Sequence, residues 1–267
     1  MSTPDPERLA SLRARIDTLD ETLHRALIER SAIIDELIVA KGSTVDKGAV
    51  FRPGREAQMM RNLAERHEGS LPLAVIEELW HLIIASHTAL QAPYRAFVDV
   101  SSDPLPAWDT ARFLLGFAVP VEPCGSPDLV LDAMAEHGTA LGIVPVVNRS
   151  EWWRRLGGEG PRIMSRTPIM QRPHGGAGGV TDPEGIVPHW ILAPRLSDPM
   201  PFDTVVTRLI VPMDTEADVL VEGSSATVAA TAEKDGHLEL LVEGEAPDPL
   251  LSVTLDKIDC GGYHRTR

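Results

Sequence analysis

The sequence is poor in cysteine, in positive charge and in long apolar runs. Only two cysteines, Cys124 and Cys260, occur among its 267 residues, which excludes a disulfide framework, a cysteine-rich zinc site and a CxxC redox pair. Lys and Arg number 25 against 39 Asp and Glu, a net charge of −14 that disfavours general binding to nucleic acid or anionic membranes. The N-terminus lacks a signal-peptide core, and no 18 apolar residues run uninterrupted. We therefore expect a soluble cytoplasmic protein with reduced thiols.

The composition divides the chain near residue 95. Apolar residues make up 43% and charged residues 24% of the chain, as is typical of a globular protein with a buried core. Residues 1–95 contain 5 of the 22 prolines and nearly balanced charge, whereas residues 96–267 contain the other 17 and most of the acidic excess. Long helical patterns dominate the first part, and short β-rich runs dominate the second. We predict an α + α/β protein, with a helical domain over 1–95 and an α/β domain over 96–267.

The first predicted helix is very long. Asp5-Pro6 is typical of a helix start, and Gly42 supplies a stop directly after Lys41. Between them, apolar residues recur at alternating steps of three and four, as in a heptad seam. The seam consists of Leu9, Leu12, Ile16, Leu19, Leu23, Ala26, Ile33 and Leu37. A helix from Leu9 to Lys41 is about 50 Å long, so a domain of 95 residues cannot cover its seam, and we expect a second chain to do so.

Positive charge lies on and beside this seam. Arg30 is seven residues from both Leu23 and Leu37, and Lys41 follows Leu37 by four, so both cations lie on the apolar stripe. Arg13 lies at the edge of the stripe. Because buried cations without partners are costly, the pattern predicts an anionic ligand inside the helical domain.

Two shorter helices complete this domain. The first is predicted from Arg52 to about His67, and the second from Leu71 to about Gln91. The apolar residues of the second are Leu73, Ile76, Leu79, Trp80, Ile83, Ile84 and Leu90. We interpret Trp80 and the Ile pair as core residues.

The ordered set of these residues resembles the AroQ-class, all-helical chorismate mutases over about residues 7–95. The resemblance rests on Leu12-Arg13-x-x-Ile16-Asp17-x-Leu19-Asp20, Glu29-Arg30, Lys41, Arg52-Pro-x-Arg55-Glu56, and Ile83-Ile84 with Gln91. It implies an intertwined homodimer, in which the long helix of one chain completes the active site of the other. It also implies rearrangement of chorismate to prephenate, on the shikimate pathway to phenylalanine and tyrosine, with no cofactor and no metal.

The resemblance assigns the catalytic roles to three residues. Lys41 contacts a carboxylate of chorismate and the ether oxygen of the breaking bond, and Gln91 donates a hydrogen bond to the same oxygen. Glu56 accepts a hydrogen bond from the ring hydroxyl. Such donors stabilise the negative charge that develops on the ether oxygen in a unimolecular rearrangement.

The resemblance also assigns substrate binding and contains two departures. Arg30, together with Arg13 of the partner chain, binds the two carboxylates, and Arg55 reinforces the cationic wall. His87 replaces a serine of many members, and it either donates a hydrogen bond to the substrate or faces solvent. Arg52 replaces an aspartate of the family. The change is tolerable if the backbone makes this contact, whereas an inward Arg52 side chain would shift the affinity and the pH dependence.

The second part begins with alternating strands and helices. The predicted elements are a strand at 97–100, a helix at 105–117, a strand at 119–124, a helix capped by Ser126 and ending near His137, and a strand at 140–146. This order resembles the first lobe of a prephenate dehydratase, a fold akin to the type II periplasmic binding proteins. In bifunctional enzymes that domain directly follows a chorismate mutase domain.

The rest of the chain departs from the dehydratases. Their Thr-Arg-Phe motif is approached only by Thr207-Arg208-Leu209, which lacks the Phe. We interpret this segment as an ordinary strand with an exposed Arg, and the domain as catalytically inactive. Further strands are predicted at 218–222, 226–232, 237–243 and 251–255. We interpret Trp152-Trp153 as a helix face packed on the domain, and residues 172–179 as a glycine-rich loop.

Three other functions remain open beside chorismate mutase. One is an isochorismate-pyruvate lyase on the same helical scaffold, which fits Glu56 and Gln91 less well. Another is a non-catalytic regulator that binds chorismate, prephenate or an aromatic amino acid, which the substitution at His87 and the altered second domain favour. The last is a fully bifunctional mutase–prephenate dehydratase.

Overall fold

A computed structural model describes residues 5–41, 51–146, 150–167, 188–194 and 201–264. They belong to two compact units, Met1–Val45 and Asp46–Arg267. The glycine-rich segment 172–179 lies outside the described residues.

The first unit contains one continuous helix, α1, over Pro6–Lys41. Its predicted start is confirmed, because Asp5 Oδ1 accepts hydrogen bonds from the backbone N–H groups of Glu7 and Arg8, both at 3.1 Å. Six residues of the predicted seam have exposed fractions between 41% and 64%. They are Leu9, Leu12, Ile16, Leu19, Leu23 and Ile33. The helix therefore presents much of its apolar stripe to solvent in a single chain.

The second unit begins with helices α2, Pro53–Arg66, and α3, Leu73–Gln91. Both lie within two residues of their predicted bounds. Met60 and Leu63 of α2 are buried against apolar residues of α3, namely Leu73, Ile76, Trp80 and Ile84. Leu79 and Leu90, predicted as part of the same apolar set, are instead exposed, because they lie away from the contact with α2.

Helix α3 is also the one described helix with the length and mean hydropathy of a membrane span. It nevertheless carries three buried polar side chains, Glu77, His81 and His87. Ionisable groups are rare in lipid-facing segments, and here His81 contacts α2 and α4 of the same unit.

Alternating strands and helices follow, as predicted. They are β1 Arg95–Asp99, α4 Pro104–Leu115, β2 Val121–Cys124, α5 Pro127–His137 and β3 Ala140–Pro145. Strand β1 pairs in parallel with both β2 and β3. Ser126 caps α5, since its Oγ accepts a hydrogen bond from Leu129 N at 3.2 Å. Helix α5 packs so closely on β3 that a Cβ at Gly142 would lie 2.5 Å from the sulfur of Met134.

The remaining strands extend the same sheet. They are β4 Arg162–Thr167, β5 His189–Ala193, β6 Thr204–Pro212, β7 Thr227–Lys234, β8 His237–Glu243 and β9 Asp256–Tyr263, with short helices α6 Ala217–Val221 and α7 Asp248–Ser252. The described strands form one mixed sheet in the order β2-β1-β3-β5-β4-β9-β6-β8-β7. An α/β part with a mixed sheet therefore follows the helices. Trp152 and Trp153 lie in a short 3-10 turn and are buried in the core, as predicted for a face packed on the domain.

Two predicted strands are wrong. Residues 218–222 belong mostly to α6, where Ala217, Leu220 and Val221 face one apolar cluster at helical spacing. Residues 251–255 follow the start of α7, in which Leu250 is fully buried and Val253 packs three residues later. In both segments the spacing of the apolar residues fits a strand as well as a helix, and packing on the sheet favours the helix.

Candidate active site

The predicted cations of α1 are spread along its length. Arg13 is exposed, Arg30 is half-buried, and Lys41 is the last residue of the helix. The side chain of Lys41 is outside the described atoms. Arg30 and Lys41 are separated by 11 residues, about three turns, so they share one face of the helix about 17 Å apart. Arg13 and Arg30 are separated by 17 residues, about 26 Å, and point to different faces.

Helix α2 supplies three predicted site residues at its N-terminus. Arg52 is the N-cap residue and is exposed, and the backbone N–H of Glu56 donates to its carbonyl at 3.0 Å. Arg55 is exposed one residue before Glu56. Pro53 fits the first turn because a helix leaves that N–H without a partner. The first turn is also a favourable place for the negative charge of Glu56.

Glu56 is bound by a histidine that sequence analysis did not select. His81 Nδ1 lies 3.1 Å from Glu56 Oε1, within hydrogen-bond distance. On the other side of the ring, His81 Nε2 lies 3.6 Å from Glu77 Oε1, which is longer than a hydrogen bond and is an ion-pair contact. The ring of Phe113 on α4 meets the imidazole edge to face at 5.4 Å. His81 is thus enclosed by α2, α3 and α4.

The environment of His81 favours its charged form. Burial alone lowers the pKa of His81, but the contacts with Glu56 and Glu77 and their negative charges raise it to about 9. Tyr94 is buried nearby, and burial together with the charge of Glu56 raises the pKa of its hydroxyl. At neutral pH the site therefore contains an imidazolium between two carboxylates.

The last turns of α3 contain the other two predicted residues. His87 is buried, and its Nδ1–H donates to the carbonyl of Ile83 at 2.7 Å. It therefore does not face solvent. Gln91 is half-buried at the end of the helix, and its Nε2 donates to the carbonyl of His87 at 3.2 Å. Glu77, His81 and Gln91 lie on one face of α3, with Gln91 about 15 Å beyond His81.

The sequence contains a signal for the residues that were missed. Glu77 and His81 stand four residues apart, with unlike charge, in the mostly apolar first half of the helix. Such a spacing places the two side chains together, and their apolar surroundings predict burial. Phe113 carries no comparable signal, because its contact with His81 depends on how α4 packs on α3.

The altered motif of the second part lies in the middle of β6. Thr207 and Leu209 are buried between β8 and β9. The strand is confirmed, but the expectation of an exposed Arg208 is wrong. Its side chain is mostly buried, and its Nε lies 4.0 Å from Glu239 Oε2. Arg154 binds the same carboxylate at 2.9 Å, so Arg208 belongs to a buried ionic cluster.

The comparisons with known proteins match the helical part of the chain. Residues 12–92 match the family model for chorismate mutase type II. A bifunctional chorismate mutase/prephenate dehydratase of Pseudomonas aeruginosa is 30% identical over 151 residues, which are 55% of this chain and 41% of that protein. The protein of the same name from Stutzerimonas stutzeri is 28% identical over 151 residues, with the same shares. That from Neisseria gonorrhoeae is 31% identical over 93 residues, 35% of this chain and 25% of that protein. No solved structure matches.

Residues 12–92 are therefore similar to the type II chorismate mutases. A match over 151 residues is longer than the segment 12–92, so the similarity to the bifunctional proteins continues into the α/β part. The match covers about two-fifths of the length of the first two relatives. The predicted resemblance of the helical part to the chorismate mutases is confirmed.

Proposed function

We propose that the chain is a homodimeric chorismate mutase of the cytoplasm, which rearranges chorismate to prephenate for aromatic amino acid biosynthesis. The observation that carries this proposal is the family match over residues 12–92, a segment that contains every residue to which the resemblance assigns a role. The similarity of that segment to named mutase–dehydratases supports it. The helical domain is proposed to extend over 1–95 and the α/β domain over 96–267.

The proposed reaction requires only substrate binding and electrostatic stabilisation from the protein. The rearrangement is unimolecular, so the site must hold a compact substrate conformer and stabilise charge that develops on the ether oxygen. Arg13, Arg30 and Arg55 are proposed to clamp the carboxylates, because a guanidinium matches a carboxylate as a planar fork. Lys41 and Gln91 donate to the ether oxygen. No covalent intermediate, cofactor or metal is required.

The remaining proposed contacts lie on α2 and α3. Glu56 accepts from the ring hydroxyl, and the ring of the substrate thereby gains a fixed orientation. Arg52 and His87 are proposed to contact the substrate from the ends of the same two helices. The exposed position of Arg52 favours a contact at the rim of the site, and the buried position of His87 favours a contact inside it.

The dimer proposal rests on the geometry of α1. A small dianion cannot reach two side chains about 26 Å apart on one straight helix, so Arg13 and Arg30 of the same chain cannot serve one site. The exposed leucines of the seam supply an interface for a second copy of α1. Each site is then built from Arg30 and Lys41 of one chain and Arg13 of the other.

The α/β part is proposed to be a dehydratase-like domain, of the type II periplasmic-binding class, without dehydratase activity. The replacement of Phe by Leu209 and the pairing of Arg208 with Glu239 support this proposal. A bifunctional mutase–dehydratase is the second candidate, because the relatives carry that name and the similarity extends beyond residue 92.

The first experiment offers chorismate, isochorismate and prephenate separately to the purified chain. Loss of chorismate absorbance, with phenylpyruvate found only after acid treatment, is the expected result, since acid converts prephenate to phenylpyruvate. Phenylpyruvate in the untreated control would establish the bifunctional enzyme. Consumption of isochorismate alone would establish the lyase, and consumption of none would leave a binding protein and overturn the proposal.

A further inference from the structure

The most unusual charged group outside the assigned residues is His81. It is one of three side chains in a line across the second unit, with Glu56 on one side and Glu77 on the other. His81 and Glu77 are almost fully buried, whereas Glu56 remains partly exposed. A line of alternating charge in a buried place restricts the geometry of each member, because moving either carboxylate leaves one edge of the imidazolium without its partner.

This line ends at the carboxylate that the proposed reaction uses. Only Oε1 of Glu56 contacts His81, and none of the described residues donates a hydrogen bond to Oε2. A carboxylate with one oxygen held by a buried donor has its plane and rotamer set. The second oxygen remains as an acceptor for a hydroxyl.

We propose that His81 is a positioning residue of the mutase site, which holds the Glu56 carboxylate so that its second oxygen accepts from the ring hydroxyl of chorismate. Glu77 acts one step further back, since it holds the opposite edge of the imidazole. This inference rests on the proposed function, because it assigns a purpose to Glu56 through the substrate. His81 touches no substrate atom in this scheme.

The α/β part of the chain contributes to this arrangement. Phe113 of α4 lies outside the segment 12–92 that matches the family, yet its ring covers the imidazole of His81. The two helices approach so closely that a Cβ at Gly116, directly after α4, would collide with Leu82 of α3. The second part of the chain thereby closes the pocket that keeps His81 and Glu56 together.

Charged and aromatic groups of three helices surround this pair. Glu56 faces His81 from α2, Glu77 from α3 itself and the apolar ring of Phe113 from α4. Tyr94 follows α3, and burial together with the negative charge of Glu56 raises the pKa of its hydroxyl. Because two carboxylates surround one imidazole, loss of its proton at alkaline pH weakens the hold on Glu56, and the rate should fall there.

The test is a double-mutant cycle in the full chain, with the variants H81Q, E56Q and the combination of both. If His81 acts through Glu56, H81Q should lower kcat/KM on the order of tenfold to a hundredfold. H81Q should then have little further effect once Glu56 is Gln, because the carboxylate that it positions is gone. His67→Gln, a half-buried position directly after α2 and outside the proposed site, is the matched control and should leave kcat/KM unchanged.

Additive effects in the cycle would overturn the proposal, because they would show that His81 serves stability or another group. Glu77→Gln provides a second readout if H81Q folds poorly. It should move the alkaline fall of kcat/KM to lower pH. An unchanged pH profile would show that Glu77 does not support the charged form of His81. A wild-type chain that leaves chorismate intact overturns the proposed function itself, whereas an active wild type with an additive cycle overturns only the role of His81.

Discussion

Helices α1 and α3 place their charged side chains in opposite environments. On α3, Glu77 and His81 are buried and paired with each other and with Glu56 inside one unit. On α1, Arg13 is exposed beside a row of exposed leucines. Both helices have polar residues on an apolar stripe, but only α3 satisfies them within its own packed unit.

This difference indicates which surface must be completed from outside. A buried, paired charge needs no further partner, whereas a cation beside an uncovered apolar seam fits a ligand and a second chain. We therefore propose two different tasks for these helices: α1 serves assembly and binding of the anion, and α3 serves the orientation of Glu56. Changes on α1 and on α3 should have different signatures.

Lys41→Ala tests the ligand role of α1 without touching its seam. Removal of a donor to the ether oxygen should lower kcat on the order of 10²-fold to 10³-fold, while the dimer remains intact. The measurement is chorismate consumption together with the mass of the particle in solution. Lys234→Ala, an exposed change on β7, is the control. Retained turnover in the Lys41 variant would remove this residue from the mechanism.

Leu23→Glu tests the seam itself. Leu23 is exposed in the single chain, so the change should be tolerated by a monomer but should bury an unpaired carboxylate in each half of a dimer. We expect the dissociation constant of the dimer to rise on the order of 10²-fold or more, with activity lost in parallel. Val219→Glu, at a similarly exposed position on α6, should change neither. A Leu23→Glu chain that stays dimeric would contradict the role of the seam.

Mixing two inactive variants tests whether sites are shared between chains. Arg13→Ala and Arg30→Ala should each lack most activity. In a mixed dimer, one site then has both arginines and the other has neither. Random assortment should restore about a quarter of the wild-type rate. The measurement is activity after dissociation and reassociation of an equal mixture. Demonstrated mixed dimers without any rescue would place both arginines in one chain's site, against the helix geometry.

The elements of this protein differ in how far the sequence predicts them. The bounds of α1 follow from Asp5 and Gly42, and β3 follows from an apolar run, because these signals are local. The strands β4, β5 and β9 escaped prediction, since β9 contains Gly261 and Gly262 and owes its place to pairing with β6. Segments 218–222 and 251–255 are predicted as strands but lie in or beside short helices, because their apolar residues fit both spacings and packing on the sheet decides between them.

The candidate site shows the same limit. The cations of α1 and the Glu56 element follow from spacing and from a family resemblance, and their roles stay predictions. The contact between His81 and Glu56 joins residues 25 positions apart, and the cover by Phe113 joins residues of two different parts of the chain. Contacts of this kind depend on how helices pack, which no short stretch of sequence encodes.

The pH dependence of stability tests α3 in the absence of substrate. Because the folded pKa of His81 is raised to about 9 from an ordinary 6.5, the protonated ring stabilises the fold fully below pH 6.5. This stabilisation is lost as the pH rises through 9. We expect wild type to lose on the order of 1–3 kcal/mol of unfolding free energy between these values relative to H81Q. Urea unfolding at a series of pH values measures it, with His67→Gln expected to follow wild type. If the unfolding free energies of wild type and H81Q change in parallel with pH, His81 is not charged in the folded protein. Helix α3 would then hold no buried, paired positive charge, and this contrast with α1 would be lost.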